Sequence, residues 1–199
     1  MGVDVPEAFR HSLIDMPASQ PRRMAGDHRG PGFPVQAYFE SADRYMSEAV
    51  EAGELQLKPG VRELLAWLEK QRVPKAVATR STRTRAEHHL WIAGIYRYFD
   101  TVVTCDDLGR GKLHSDAYLY AAERLGALPF RCLALENSHD GVRAAHGAGM
   151  RVIMVPDVLG PTSEMRAKCE AVMPDLHAVR ELLGKTDASR PISALVEAA

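Results

Sequence analysis

The spacing of apolar positions changes near residue 55. Before it, the stretch FPVQAYFESADRYMSEAVEAG sets Tyr38, Ala42, Tyr45, Met46 and Ala49 on one helical face, and no β-rich run appears. The preceding SQPRRMAGDHRGPGFP is dense in proline and glycine and reads as a loop. From Pro59 onward the pattern is a regular alternation. GVRELLAWLEKQR predicts a helix and PKAVATR a strand. TRTRAEHHLWIAGI and DTVVTCDD repeat the pair, as do SDAYLYAAERLG with RCLALEN and SHDGVRAAHGAGM with RVIMVPD. LHAVRELLG adds a last helix before a polar tail. Four buried-type strands separated by helices predict an α/β fold, a parallel sheet covered on both faces in three layers. The expected divisions are residues 1–55, a core over 56–185, and a tail over 186–199.

Composition narrows the function classes. Hydrophobic residues make up 46% and charged residues 26%, which suits a packed core rather than disorder. With 25 basic and 26 acidic residues intermixed, the net charge of −1 argues against nucleic acid or an anionic membrane as the main partner. No stretch approaches the roughly 18 apolar residues of a membrane span, and the first residues have no signal-peptide core, so a cytoplasmic address is expected. Cys105, Cys132 and Cys169 form no CxxC pair and suggest neither a disulfide framework nor a zinc site.

In a parallel sheet of this kind the crevice lies at the C-terminal ends of the strands. The first predicted strand ends at Thr79-Arg80-Ser81, directly before a helix. A hydroxyl beside helix N–H groups can cradle an oxyanion, with Arg80, Arg83 and Arg85 adding charge. Helix capping is the simpler reading of this segment alone, since Thr84 and Glu87 fit a capping box. The second strand leads to Asp106 and Asp107, suited to turns or caps, and to Lys112 in a glycine-flanked loop, with Asp116 as N-cap of the next helix. The third ends at Glu136-Asn137-Ser138. A carboxylate and an amide there suit a hard cation such as Mg²⁺, whereas Ser138 or Asn137 could simply cap the following helix.

Taken in order, AVATRS, GKLHSD and LENSHDGVRAAHGAGM resemble the successive motifs of the haloacid dehalogenase superfamily, closest to its β-phosphoglucomutase-like, sugar-phosphatase branch. The resemblance covers residues 55–183. It implies a Rossmann-like core with residues 1–55 as part of a helical cap. It gives Thr79 a hydrogen bond to the transferring phosphoryl group, with Arg80 and Ser81 beside it, and Lys112 the task of neutralising that group's charge. Glu136 and the residue at 137 would hold Mg²⁺, and the partner would be a small phosphorylated metabolite such as a sugar phosphate.

The sequence also departs from the family pattern. No D-x-D-x-T/V motif occurs, Asp4, Asp15, Asp27 and Asp43 being isolated. In the family the first Asp of that motif attacks phosphorus and the second is the general acid and base. Asn137 replaces a usual Asp, which should weaken Mg²⁺ binding, and Leu113 and Ser115 replace two prolines after the lysine. The family's first strand, which lies between those ending here at Thr79 and Glu136, is missing as well. Two buried edges are then expected to close on each other, or something else to supply the gap. The resemblance therefore implies a Mg²⁺-dependent phosphatase or phosphomutase lineage, inactive as this chain, or else a non-catalytic phosphate-binding or regulatory module. GVDVPEAFRHSLIDMP reads as mid-cap sequence, so an in-frame nucleophile motif upstream of Met1 is a further expectation. Substrate identity and oligomeric state are left open.

Overall fold

The computed structural model describes residues 32–54, 56–108, 114–185 and 194–198. The chain divides into two compact units, residues 1–56 and 57–199. In the first, the predicted helix forms as α1, Val35–Glu51. Its apolar face is not a buried face, however: only Ala49 and Val50 are buried, whereas Tyr45 is 71% exposed and Met46 40%. Helical spacing decides which residues share a side, but not whether another element covers that side.

The alternation read from Pro59 is realised in the second unit. Its elements are α2 (Val61–Lys70), β1 (Lys75–Ala78), α3 (Arg83–Ile92), β2 (Thr101–Val103), α4 (His114–Arg124), β3 (Cys132–Glu136), α5 (His139–Gly147), β4 (Arg151–Met154), α6 (Ser163–Lys168), β5 (Ala171–Val172), α7 (Leu176–Lys185) and β6 (Ala194–Ala198). The six strands form one sheet in the order β2-β1-β6-β3-β4-β5, with every pairing parallel.

The pleat sorts residues by size. Val77, Leu133, Leu135 and Ile153 face a layer built on Leu64, Leu65, Leu68, Leu90 and Val179 of α2, α3 and α7. Ala76, Ala78 and Ala134 face the other way, where Ala121 and Ala122 of α4 and Ala145 of α5 also pack. Small side chains on both partners bring those helices close to the sheet. Truncating one of the buried leucines on the opposite layer to alanine costs about 2–5 kcal/mol.

Three elements were not anticipated. The short helix α6 is capped by Thr162, whose hydroxyl accepts from the Met165 amide at 3.3 Å, and it drives the fully buried Met165 into the core. Strand β5 is two residues long. The third is β6, within the segment assigned to a tail. It lies between β1 and β3, with Ala78 paired to Ala198 on one side and Leu135 to Glu197 on the other. This is the lane that the missing first strand leaves in the sequence reading. The correction has a plain cause. β1 and β3 present two buried rows of backbone donors and acceptors, and ALVEA, with Leu195 and Val196 at its centre, supplies partners for both.

Candidate functional site

At the C-terminal tip of β1 the chain turns from strand to helix within four residues. Thr79 is 7% exposed; its amide donates to Val103 O at 2.9 Å, and its hydroxyl oxygen accepts from the Ser81 amide at 3.2 Å. A cleft of about 490 Å³ opens here, lined by Thr79, Arg80, Ser81, Thr82 and Arg85. Arg80 also reaches the start of α5, with Nη1 3.5 Å from Asp140 Oδ2. The three site residues predicted at this tip are thus brought together.

The expected capping box at Thr84 and Glu87 is not formed. Thr82 is the N-cap residue and makes no side-chain cap bond, and the Arg83 amide donates to Asp106 Oδ2 at 2.7 Å instead. The helix N-terminus is therefore already served by a carboxylate from the next loop, which takes one donor out of the predicted cradle. Arg83 is turned away from the cleft. Its Nη2 donates to both Asp107 oxygens at 2.7 Å and its Nη1 to Glu87 at 2.9 Å. Those bonds, Asp107's first, hold the guanidinium above its ordinary pKa. Burial pushes the Asp107 carboxyl up, but Arg83 and Thr104 outweigh it and leave it below the ordinary value. Asp107 also closes a capping box with Thr104 over Cys105–Asp107, so both aspartates act as the caps expected of them. Asp116 falls inside the first turn of α4 rather than at its N-cap. Lys112 lies outside the described residues.

The tip of β3 is built differently. Glu136 is only 2% exposed. Its Oε1 accepts from the Tyr118 hydroxyl of α4, and its Oε2 is buried with no hydrogen-bond partner. Burial pushes the Glu136 carboxyl up to about 7, against the opposing pull of Tyr118, the Ser138 and Asn137 amides, and Arg80. Burial, and then the charge of Glu136, raise the Tyr118 hydroxyl well above its ordinary range. A Cβ at Gly141 would collide with the Glu136 carboxylate, which explains the glycine at that place in the motif. Ser138 caps α5, its hydroxyl accepting from the Gly141 amide at 3.0 Å.

Glu136 and Asn137 also line a second cleft, of about 270 Å³, that runs past the tips of β4 and β5 to Pro174 and Leu176. Two of its lining residues, Lys58 and Asp157, form an ion pair. Among the described residues, no group of three or more histidines, cysteines, aspartates or glutamates is placed to hold a metal ion. The Glu136 oxygen without a hydrogen-bond partner is of the kind a hard cation takes as a ligand, and Asn137, which lines the same cleft, would offer a neutral oxygen.

Sequence reasoning missed Tyr118, Asp140 and Asp157. Asp157 was readable, since RVIMVPD carries it just past the tip of a predicted strand. Tyr118 offered less: it shares the buried side of α4 with Ala121 and Ala122, and its polar atom finds Glu136 only in three dimensions.

The haloacid dehalogenase-like hydrolase family model matches residues 18–149. Hexitol phosphatase B of Escherichia coli is 34% identical over 119 residues, which is 59% of this chain and 54% of that protein. The crystal structure of CbbY from Rhodobacter sphaeroides in complex with phosphate has a TM-score of 0.71 at 25% identity, covering 88% of this chain and 80% of that one. β-Phosphoglucomutase from Clostridium difficile shares the fold, with a TM-score of 0.65 at 21% identity over 88% of this chain and 78% of that one. The chain spans about half the length, or less, of the curated relatives it matches.

Proposed function

The chain belongs to the haloacid dehalogenase-like hydrolases, and on that premise we propose that its core binds the phosphate of small phosphorylated metabolites, sugar phosphates among them, at the tip of β1. The observation that carries this reading is the buried Thr79 hydroxyl opening onto a cleft lined by Arg80 and Arg85. Thr79 Oγ1 accepts from the Ser81 amide, which leaves its own hydrogen to donate to a phosphate oxygen. The two guanidinium groups supply charge-assisted donors, the kind suited to a dianion. Lys112 adds a third cation by the family resemblance.

Magnesium, when bound, would neutralise charge on the phosphate oxygens, and Glu136 and Asn137 would hold it. One of those donors is charged and the other neutral, so its grip is weak. These 199 residues contain no D-x-D-x-T/V motif, and the proposal for this chain is binding without turnover. Phosphoryl transfer belongs to the lineage, as the phosphatases and mutases among its relatives indicate.

The test is calorimetry and thermal unfolding with inorganic phosphate and a hexose phosphate, beside a phosphate-release assay with Mg²⁺. Millimolar ligand should raise the unfolding temperature. A chain indifferent to both ligands sinks the binding half of the reading. Turnover at roughly 1 s⁻¹ or faster, the ordinary range for an enzyme, sinks the other half.

A further inference from the structure

We propose that Tyr118 is a positioning residue for the carboxylate at the tip of β3, fixing Glu136 through Oε1 so that Oε2 becomes one directed ligand for a divalent cation. The inference rests on the reading of this crevice as a phosphate and cation site. Its starting point is an asymmetry between the two oxygens of one side chain. Both lie in a residue that is 2% exposed, yet Oε1 accepts from a buried hydroxyl and Oε2 from nothing. An unsatisfied buried polar atom costs about 1–3 kcal/mol. A bound cation would remove that cost at Oε2 while leaving the bond at Oε1 in place.

Several features keep the carboxylate in this orientation. Tyr118 is 5% exposed on α4, and Ala121 and Ala122 beside it let the helix approach the sheet closely enough for the hydroxyl to reach β3. The carboxylate also lies against Gly141, where even a methyl group would collide with it. Tyr118 therefore belongs to the outer layer of the site. It touches neither phosphate nor cation, and it acts by setting which way the acid points, as the hydrogen-bond partners of metal ligands do.

A tyrosine that merely fills the core would contribute to stability and have no effect on cation affinity. Tyr118→Phe separates the two roles, since it keeps the ring and removes one oxygen. The probe is Mn²⁺ alone, followed on the full chain by electron paramagnetic resonance, with inorganic phosphate binding measured in parallel. The unmodified chain should bind Mn²⁺, and Tyr118→Phe should bind it about 10–100-fold more weakly with phosphate affinity unchanged. Equal Mn²⁺ affinity in the two proteins overturns the proposal. So does a wild-type chain that binds phosphate but no Mn²⁺, an outcome that leaves the phosphate reading standing. Loss of phosphate binding in the wild type would overturn that reading instead. Should Tyr118→Phe fail to fold, the unmodified chain still decides the matter: Mn²⁺ titration should perturb its near-ultraviolet tyrosine absorption in step with occupancy. Binding without that perturbation counts against a Tyr118–Glu136 link.

Discussion

At the tip of β1 the polar groups face a wide cleft, and those not facing it are paired with neighbours on α3 and the loop after β2. At the tip of β3 the acid is sealed under a helix, held on one oxygen and without a partner on the other. Both tips flank the same strand, β6. The first is assembled from residues close in sequence and depends little on the core. The second depends on a tyrosine eighteen residues away and on a glycine that leaves room for it. Local chemistry can be open to solvent and tolerant of change, whereas a buried charged group ties its tip to the packing of the whole domain.

The most severe way to break the contrast is to remove what the tips share. Val196→Pro takes a backbone donor from the strand paired to both β1 and β3 and should cost at least about 3 kcal/mol. Urea unfolding measures it, and unchanged stability would mean that β6 does not hold the sheet together.

Next in size is the pH response of Glu136. Its folded value of about 7 lies above the ordinary 4.5, so between those values the unfolded chain gives up its proton first. Stability therefore falls as pH rises from about 4.5 to 7 and stays lowered above that, by on the order of 3 kcal/mol. Thermal unfolding without divalent cations should show the wild type more stable at pH 5 than at pH 8. Glu136→Gln should flatten that slope, and a slope that survives the substitution would assign it to another group.

Arg80→Ala acts on the open tip. It should weaken phosphate binding about tenfold, or about 1.4 kcal/mol, as read by calorimetry, while stability changes little because its pair with Asp140 is partly exposed. Arg83→Ala gives the smallest effect and sharpens the distinction. It should lower stability by about 1 kcal/mol or less and leave phosphate affinity unchanged, because its guanidinium is committed to Asp107 and Glu87. Equal losses of phosphate binding in the two arginine variants would show that the cleft does not discriminate between them.

Much of this was legible in the sequence because it is periodic or local. The four strands from PKAVATR to RVIMVPD, the helices between them, and Thr79, Arg80 and Ser81 at one tip all follow from the alternation and from where its strands end. The separate duties of Arg80 and Arg83 were not legible. Residues three apart in an arginine-rich run look alike until Asp107 arrives from the segment after β2 and Asp140 from the start of α5. The capping of α3 by Asp106 is non-local in the same way and defeated a capping box that fitted by spacing. Strand β6 escaped because five residues with Glu197 among them, set in a polar stretch, carry a weak signal of their own. What selects them is the pair of unfilled edges more than fifty residues upstream.

That strand also orders events in time. A chain leaves the ribosome from its N-terminus, so β1 with β2, and β3 with β4 and β5, are all made before the segment that lies between them. Until residue 198 emerges, the sheet exists as two halves, each with a buried-type edge still lacking its neighbour, and such edges recruit strands from other chains. A nascent chain stopped before residue 194 is on this account two half-sheets with sticky margins rather than a slightly shortened domain. Termination just before residue 194 would leave the cell an aggregation-prone product in place of a weakened one.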